Sequence, residues 1–476
     1  MNKNDFEIVI GLEVHVQLNT ASKAFCSCST NFGSTSNSQT CPICLGLPGT
    51  LPVLNKAAFE LAIKVALALD CKLQETTRFD RKNYFYPDLP KNFQISQYDL
   101  PLGYDGSIKI NDTPIRVKRV HLEEDAGKLI HEENSSLVDY NRAGIALLEI
   151  VSEPDIHSSD QAYDYLKSLK AILMYLGVSS CDMEKGILRC DANISLKPKE
   201  AKDLGVKTEL KNLNSFKAVK LSLEYETERQ FNILNSGGKI IQETRLWDAK
   251  KLQSVSMRSK EEAKDYRYFP EPDLPIFRIS KELEQKIKVS IIELPQARQK
   301  RFMENLGLSA YDASVLTDSK NLADYFEECL KFGQDGKKIS NWLMGAFQEE
   351  LNKRSIEPKE SKVKPKELVD LIAMVEKNIL NNLSAKQVLT FMFDTGAAPE
   401  IIVKEKNLAQ ISDSKELEQI IETVIKENQN SINDYSQGKT NALMFLVGQV
   451  MRLSKGKANP KVVAELLENK INGGKT

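Results

Sequence analysis

The chain has 476 residues, 41% of them hydrophobic and 28% charged, with a formal net charge of −1. That length favours two to four domains, and the near-zero balance excludes a global field for nucleic acid, so any such binding needs a local patch. No apolar run reaches the roughly 18 residues that span a bilayer, and the start MNKNDFEIVI lacks the build of a signal peptide, which together predict a cytoplasmic chain with no membrane partner.

The first predicted strand, EIVIGLEVHVQL, sets Ile8, Ile10, Leu12, Val14 and Val16 on one side and Glu13, His15 and Gln17 on the other. Side chains two apart on a strand point the same way, about 6.5 Å apart along it. Next, AFCSCSTNFGSTSNSQTCPICLG (24–46) holds four of the eight cysteines. A large cytosolic chain keeps its thiols reduced, which argues against disulfides. Cys26, Cys28, Cys41 and Cys44 form C-x-C-x12-C-x2-C, two close pairs suited to a tetrahedral zinc site, and the polar loop between them has little apolar surface of its own to fold around. The plain alternative is four reduced thiols in a loop. Four thiolates leave no open coordination position, so such a zinc is structural and the chemistry lies elsewhere.

A helix follows at NKAAFELAIKVALAL, with Asn55 as its cap. RFDRKNYFYPDLPKNFQ (78–94) interleaves Arg78, Arg81, Lys82 and Lys91 with Tyr84, Phe85 and Tyr86, a mixture that can grip phosphate and stack on bases or simply fill a core. HLEEDAGKLIH adds Glu123, Glu124 and Asp125, and in GIALLEIVS Glu149 is the one charge within an apolar run, so it must be paired or perturbed. A second helix is expected over about 159–176. LRCDANISL alternates Leu188, Cys190, Ala192 and Ile194 against Arg189, Asp191, Asn193 and Ser195; KTELKNL groups Lys207, Glu209 and Lys211. One polar strand face would ordinarily meet water. Several faces carrying carboxylates, Asn and His together suit Mg²⁺ better than zinc.

DYRYFPEPDLP (265–275) is held extended by Pro270, Pro272 and Pro275. From about 293 the spacing turns helical, in LPQARQKRFMEN, LADYFEECLKF and ISNWLMGAFQEELNK. A loop is expected over 355–367, interrupted by Pro358 and Pro365, and a further polar stretch near 404–416. Residues 435–476 hold seven Lys and Arg against two Glu. The fold class expected is α+β: a largely antiparallel β-sheet domain with helices and a zinc loop over 1–292, an all-α domain over 293–408, and a small all-α basic tail over 409–476. QGKT (437–440) lacks the earlier glycine of a phosphate-binding P-loop, and neither G-x-G-x-x-G after a strand nor G-x-S-x-G is present. ATP chemistry here would need an unconventional site.

Taken in order, GLEVHVQL, CPICLGLPGTLPVLN, FDRKNYFYPDLPK, EEDAGK, LLEIVSEPD, LRCDANIS, ELKNLNSF and DYRYFPEPDLP make the chain resemble the B subunits of the bacterial and organellar tRNA-dependent amidotransferases. GKANPKVV and the helical remainder fit that family more loosely. The resemblance implies a cytoplasmic heterotrimer with a glutaminase A subunit and a small C subunit. It implies ATP-dependent phosphorylation of the side-chain carboxylate of misacylated tRNA, Glu-tRNA(Gln) or Asp-tRNA(Asn), followed by amidation with ammonia from the partner. Carried over residue by residue, it makes Glu13, His15, Glu124, Glu149, Glu184, Asp191 and Glu209 the catalytic set, all but Glu149 as Mg²⁺ ligands. Simple alternation from His121 favours Glu123 and Asp125 over Glu124. Arg81, Lys82, Tyr84, Lys211 and Arg267 are the substrate- and nucleotide-binding candidates, the four cysteines the zinc ligands, and the basic tail the tRNA contact. The competing reading is a zinc-bearing, tRNA-binding scaffold whose acidic sheet is solvated surface.

Overall fold

The computed structural model describes residues 5–259, 266–333, 335–409, 414–437, 439–454 and 457–473. Asp265, Lys455 and Lys475 of the stretches singled out above lie outside them. The chain divides into two compact units, residues 1–294 and 295–476.

In the first unit the strands run in chain order β1 (Phe6–Gln17), β2 (Lys72–Leu73), β3 (Thr76–Thr77), β4 (Asp80–Asn83), β5 (Phe93–Ser96), β6 (Gly103–Ile110), β7 (Thr113–Glu124), β8 (Lys128–His131), β9 (Ser136–Asp139), β10 (Ala146–Ser152), β11 (Leu188–Pro198), β12 (Thr208–Leu213), β13 (Glu243–Asp248), β14 (Gln253–Ser259), β15 (Phe269–Pro270) and β16 (Phe277–Arg278). Nine of them form one sheet in the order β14-β13-β12-β11-β1-β10-β7-β6-β2. Its pairings are antiparallel except β12 with β13. The alternation read in β1 is real: Leu12, Val14 and Val16 are buried in the core, and Glu13, His15 and Gln17 take the other face. A small sheet, β15-β4-β5, supplies the aromatic and basic segment.

Three helices pack against the sheet's apolar face: α1 (Lys56–Ala68), α2 (Ser159–Tyr175) and α3 (Phe216–Asn235). Each starts where a side-chain oxygen satisfies free amides of the first turn, at Asn55, Ser158 and Ser215 respectively. Ala58, Ala62 and Ala66 of α1 and Leu166, Leu169 and Leu173 of α2 lie fully within the shared core. Burial of that apolar face leaves the polar face free to carry chemistry.

The second unit is helical, as expected, and holds two separate cores, one from Phe302 to Val403 and one from Leu417 to Ile471. The loop expected over 355–367 is shorter than the sequence suggested. Pro365 is the first residue of a helix, Pro365–Glu376, where its missing N–H costs nothing. No described helix is long and apolar enough to cross a membrane.

Candidate functional site

The register of the large sheet brings charges from five strands onto one face. His15 on β1 sits opposite Glu149 on β10, and Glu149 sits opposite His121 on β7. On the other flank Glu13 faces Asp191 and His15 faces Arg189 of β11, while Asn193 faces Glu209 of β12. Opposed residues on neighbouring strands are the closest side-chain pairs a sheet offers.

The centre is a ladder of acids and imidazoles. Nε2 of His15 lies 3.3 Å from Glu149 Oε2, 3.6 Å from Glu13 Oε1 and 3.7 Å from Glu123 Oε1. Nε2 of His121 lies 3.3 Å from the same Glu149 oxygen and 3.6 Å from Glu123 Oε2. Two triads, Glu13–His15–Glu149 and His121–Glu123–Glu149, each gather one ligand atom per residue within 4.8 Å and share Glu149. His121 and Glu149 are 2% and 3% exposed, so the centre of the ladder is shielded from water, while Glu13 at its edge is part exposed.

The charges answer one another. Burial works against a charged His121, but the Glu149 and Glu123 carboxylates overcome it and push the imidazole up to about 9. His15 is raised in the same way, burial opposing and the hydrogen bond and charge of Glu149 prevailing. Burial would also neutralise Glu149, yet the two imidazoles hold it well below the usual carboxylate range. Glu13 moves the opposite way, pushed up by burial and then by the neighbouring Glu149. Nη2 of Arg119 approaches Glu149 Oε1 at 3.5 Å, and the buried Arg119 Nε and His121 Nδ1 have no hydrogen-bond partner. Lys82 hangs over the ladder between Tyr84 and Tyr266, its Nζ 5.0 Å from the Tyr266 ring centre. Although burial disfavours its charge, Glu123, Tyr268 and Glu149 raise its pKa.

The remaining candidates fall elsewhere. Glu124, taken from the resemblance, points to the opposite side of β7 from Glu123. It accepts from Lys91 Nζ at 2.6 Å and from the Ile95 amide at 2.9 Å. The reason is the two-residue period of the strand: His121 and Glu123 share a face, and the next residue cannot. Asp191 and Glu209 both bind Lys211, the latter at 3.2 Å, beside the ladder. Glu184 is exposed in the turn before β11, on the rim of a cleft of about 580 Å³ that also meets Gln17, Arg189 and Asp191. Arg81 is committed to Glu271 through two 2.8 Å bonds and to Asp273 at 3.1 Å. Tyr84 donates to Gln94 at 3.3 Å, and Arg267 is exposed at a left-handed backbone position, φ +46°. Sequence reasoning missed Arg119 and His121 as members of the site. The signal was present, because Arg119, His121 and Glu123 repeat the same period of two.

Asp125, rejected as a ligand by the resemblance, anchors the ladder's edge. It accepts from Arg189 Nη1 and Nη2 at 2.9 Å each and from Gln17 Nε2 at 2.7 Å. Burial would raise its pKa, but Arg189 and Arg142 hold it below the ordinary range. A carboxylate depressed in the folded state adds stability above its unfolded pKa and loses it as pH falls through the folded one. Asp125→Asn is therefore expected to cost about 2 kcal/mol at pH 7, discounted for the partial exposure of Arg189. The gap from wild type in thermal midpoint should narrow below about pH 4. An unchanged midpoint at pH 7 would show that the pair contributes nothing.

The four cysteines also converge: their Sγ atoms lie within 4.8 Å of one another. The loop that carries them is tied to the end of β9 and the residues just after it, with Asn37 N donating to Asp139 at 3.0 Å and Gln39 N to Asn141 at 2.8 Å. Cys71, Cys181, Cys190 and Cys329 are buried and stand apart from this group. A smaller pocket of about 200 Å³ is shared by Cys26, Cys44, Lys91 and Glu124, and the ladder's own residues do not line it.

Residues 8–285 match the GatB/GatE catalytic domain, and residues 324–471 match the GatB domain. The chain is 52% identical over 476 residues to the B subunit of the aspartyl/glutamyl-tRNA(Asn/Gln) amidotransferase of Carboxydothermus hydrogenoformans, covering 98% of this chain and 99% of that protein. It is 51% identical over 475 residues to the protein of the same name from Moorella thermoacetica, covering 98% and 100%. The counterpart in Caldanaerobacter subterraneus subsp. tengcongensis is 52% identical over 472 residues, covering 98% and 99%.

Proposed function

Since the chain belongs to the GatB/GatE family, we propose that it activates the side-chain carboxylate of misacylated Glu-tRNA(Gln) or Asp-tRNA(Asn) with ATP, as the B-type subunit of a cytoplasmic heterotrimer. A carboxylate oxygen of the aminoacyl group attacks the γ-phosphorus of ATP. The bond to the β,γ-bridging oxygen breaks, ADP leaves, and an acyl phosphate forms. Ammonia from the glutaminase A subunit then attacks the acyl carbon, and inorganic phosphate departs. Phosphoryl transfer asks little covalent chemistry of a protein and much positioning and charge, so a charged sheet face can serve without a P-loop.

The observation that carries this reading is the buried ladder with Glu149 at its centre. Its residues fit a divalent cation: they combine carboxylates with imidazole nitrogens, and the carboxylates that hold a proton on each imidazole would hold a cation there once those protons leave. Glu13, His15 and Glu149, or His121, Glu123 and Glu149, would hold Mg²⁺, which when bound neutralises phosphoryl oxygens. Glu124, Asp191 and Glu209 have lysine partners in the structure and are not needed for this set. Lys82 and Arg119 add fixed positive charge beside Glu149, where a transferring phosphoryl group gathers negative charge. Tyr84, Tyr266 and Tyr268 pack edge to face beside Lys82.

Against the scaffold alternative, Glu123, His121 and Glu149 of the acidic face are buried, although Glu13, Asp191 and Glu209 are part exposed. Cleavage of ATP that depends on charged tRNA separates the two readings. The assembled complex should release ADP with Glu-tRNA(Gln) or Asp-tRNA(Asn), and far less with uncharged tRNA. Equal ADP release with charged and uncharged tRNA would overturn the activation role.

We further propose that Cys26, Cys28, Cys41 and Cys44 hold a structural zinc that orders the loop facing the larger cleft. Metal analysis after gentle purification should return about one zinc per chain. A content below about 0.2 would count against the site.

A further inference from the structure

Lys23 is a fully buried lysine, 0% exposed, and among the described residues no carboxylate lies within ion-pair distance of it. Its ammonium instead reaches Cys44 Sγ at 3.6 Å and the Tyr140 carbonyl at 3.2 Å. A buried ammonium is expensive unless an opposite charge and hydrogen bonds answer it. One sulfur and one carbonyl are a thin answer. Four thiolates on one Zn²⁺ carry a net charge of −2, and that is a good one.

The surroundings are shaped to keep the lysine there. Gly144 adopts φ +87°, and a Cβ at that position would stand 3.4 Å from the Cys44 Cβ, 3.5 Å from the Lys23 Cδ and 3.8 Å from Oε2 of Glu124, whose ion pair is with Lys91. The glycine thus lets the 140–145 segment close over the lysine, and its carbonyl accepts from the Ala24 amide at 2.8 Å. Tyr140 extends the tie: its amide donates to Asn37 Oδ1 of the cysteine loop at 2.7 Å, and its hydroxyl donates to the Pro87 carbonyl at 2.8 Å.

We propose that Lys23 is the buried counter-cation of the zinc–thiolate cluster, a positioning residue that makes metal retention and local folding depend on each other. The proposal rests on the zinc reading above. With the cluster formed, the ammonium lowers the repulsion among thiolates and donates to one sulfur, as hydrogen-bond donors beside the ligands do at other metal sites. Without the cluster, the same ammonium keeps only the Cys44 sulfur and the Tyr140 carbonyl within hydrogen-bond distance. Removing it should therefore have opposite consequences in the two states.

The test uses the full chain and two readouts, zinc release to a colorimetric chelator and thermal midpoint. Lys23→Met is expected to speed zinc release at least about tenfold over wild type, within the range for substitutions of residues that support metal ligands. Lys23→Arg keeps the charge and should recover part of the loss. In a zinc-free Cys26→Ser/Cys28→Ser/Cys44→Ser background, which also removes the contacting sulfur, the same Lys23→Met change should raise the midpoint, whereas in the zinc-loaded chain it should lower it. Lys23→Met protein that is insoluble alone but soluble in the serine background supports the same conclusion. A midpoint lowered in both backgrounds, or zinc release as slow as wild type, overturns the counter-cation role. Wild-type protein without zinc overturns the cluster itself, and with it the counter-cation.

Discussion

Glu149→Gln is expected to lower amide formation by about 10³-fold or more at saturating ATP and charged tRNA, a loss of roughly 4 kcal/mol of transition-state stabilisation. Binding of charged tRNA and the glutaminase activity of the assembled complex should be retained, because neither uses this carboxylate. The size follows from its place in the ladder. Glu149 is common to both triads, and both imidazoles face the same oxygen at 3.3 Å. The amide of Gln keeps the shape and removes the charge. Glu13→Gln and His15→Ala break only one triad and should slow amide formation by less than Glu149→Gln does, because the second triad can still hold metal. Glu124→Gln makes the contrast. It strips the partner from the nearly buried Lys91, so its effect should register first as lost stability. The measurement is single-turnover formation of Gln-tRNA or Asn-tRNA by product analysis. Near-normal rates for Glu149→Gln would remove the ladder from the chemistry.

Deleting residues 409–476 is expected to raise KM for charged tRNA about tenfold and to flatten its salt dependence. The remaining chain should stay folded, since the residues from Leu417 to Ile471 form a hydrophobic core separate from the one before it. Part of the basic excess is spent internally: Lys439 pairs with Asp434 and Lys470 with Glu422. Among the described residues, Arg452, Lys457 and Lys461 remain outside such pairs. If these three meet phosphates, the slope of log KM against log salt should fall by about two to three. Glutaminase activity of the complex should survive. An unchanged KM across a salt series would exclude the tail as a tRNA contact.

Much of the candidate site was legible because β1, β7 and β11 keep a strict period of two, and a lone Glu149 inside an apolar run is conspicuous. What sequence alone left open was the partner strand. Nothing in the linear order says that position 15 lies opposite 149 and 149 opposite 121; the sheet order decides that. The choice between Glu123 and Glu124 shows how much a single step matters. Adjacent carboxylates at a strand's end have opposite fates, one in the ladder and one bound to Lys91. The helix α3 was passed over for a different reason. Its inward face carries Glu226 and Gln230, fully buried among Arg229, Arg245 and Ser254, so the apolar periodicity that announces a helix is diluted. Pro365 misled as a loop marker because proline is equally at home as a helix's first residue.

The order of the large sheet has a consequence for how the molecule is made. The strand β1 lies in the middle, and its two neighbours, residues 146–152 and 188–198, follow it by well over a hundred residues. At a synthesis rate of about 5–20 residues per second, an apolar-faced strand waits on the order of ten seconds beyond the ribosome before either neighbour exists. Its exposed edges are a template for pairing with another nascent chain during that interval. The strand is thus made well before it can be enclosed, and the protein's yield in a cell depends on what shields it in the meantime.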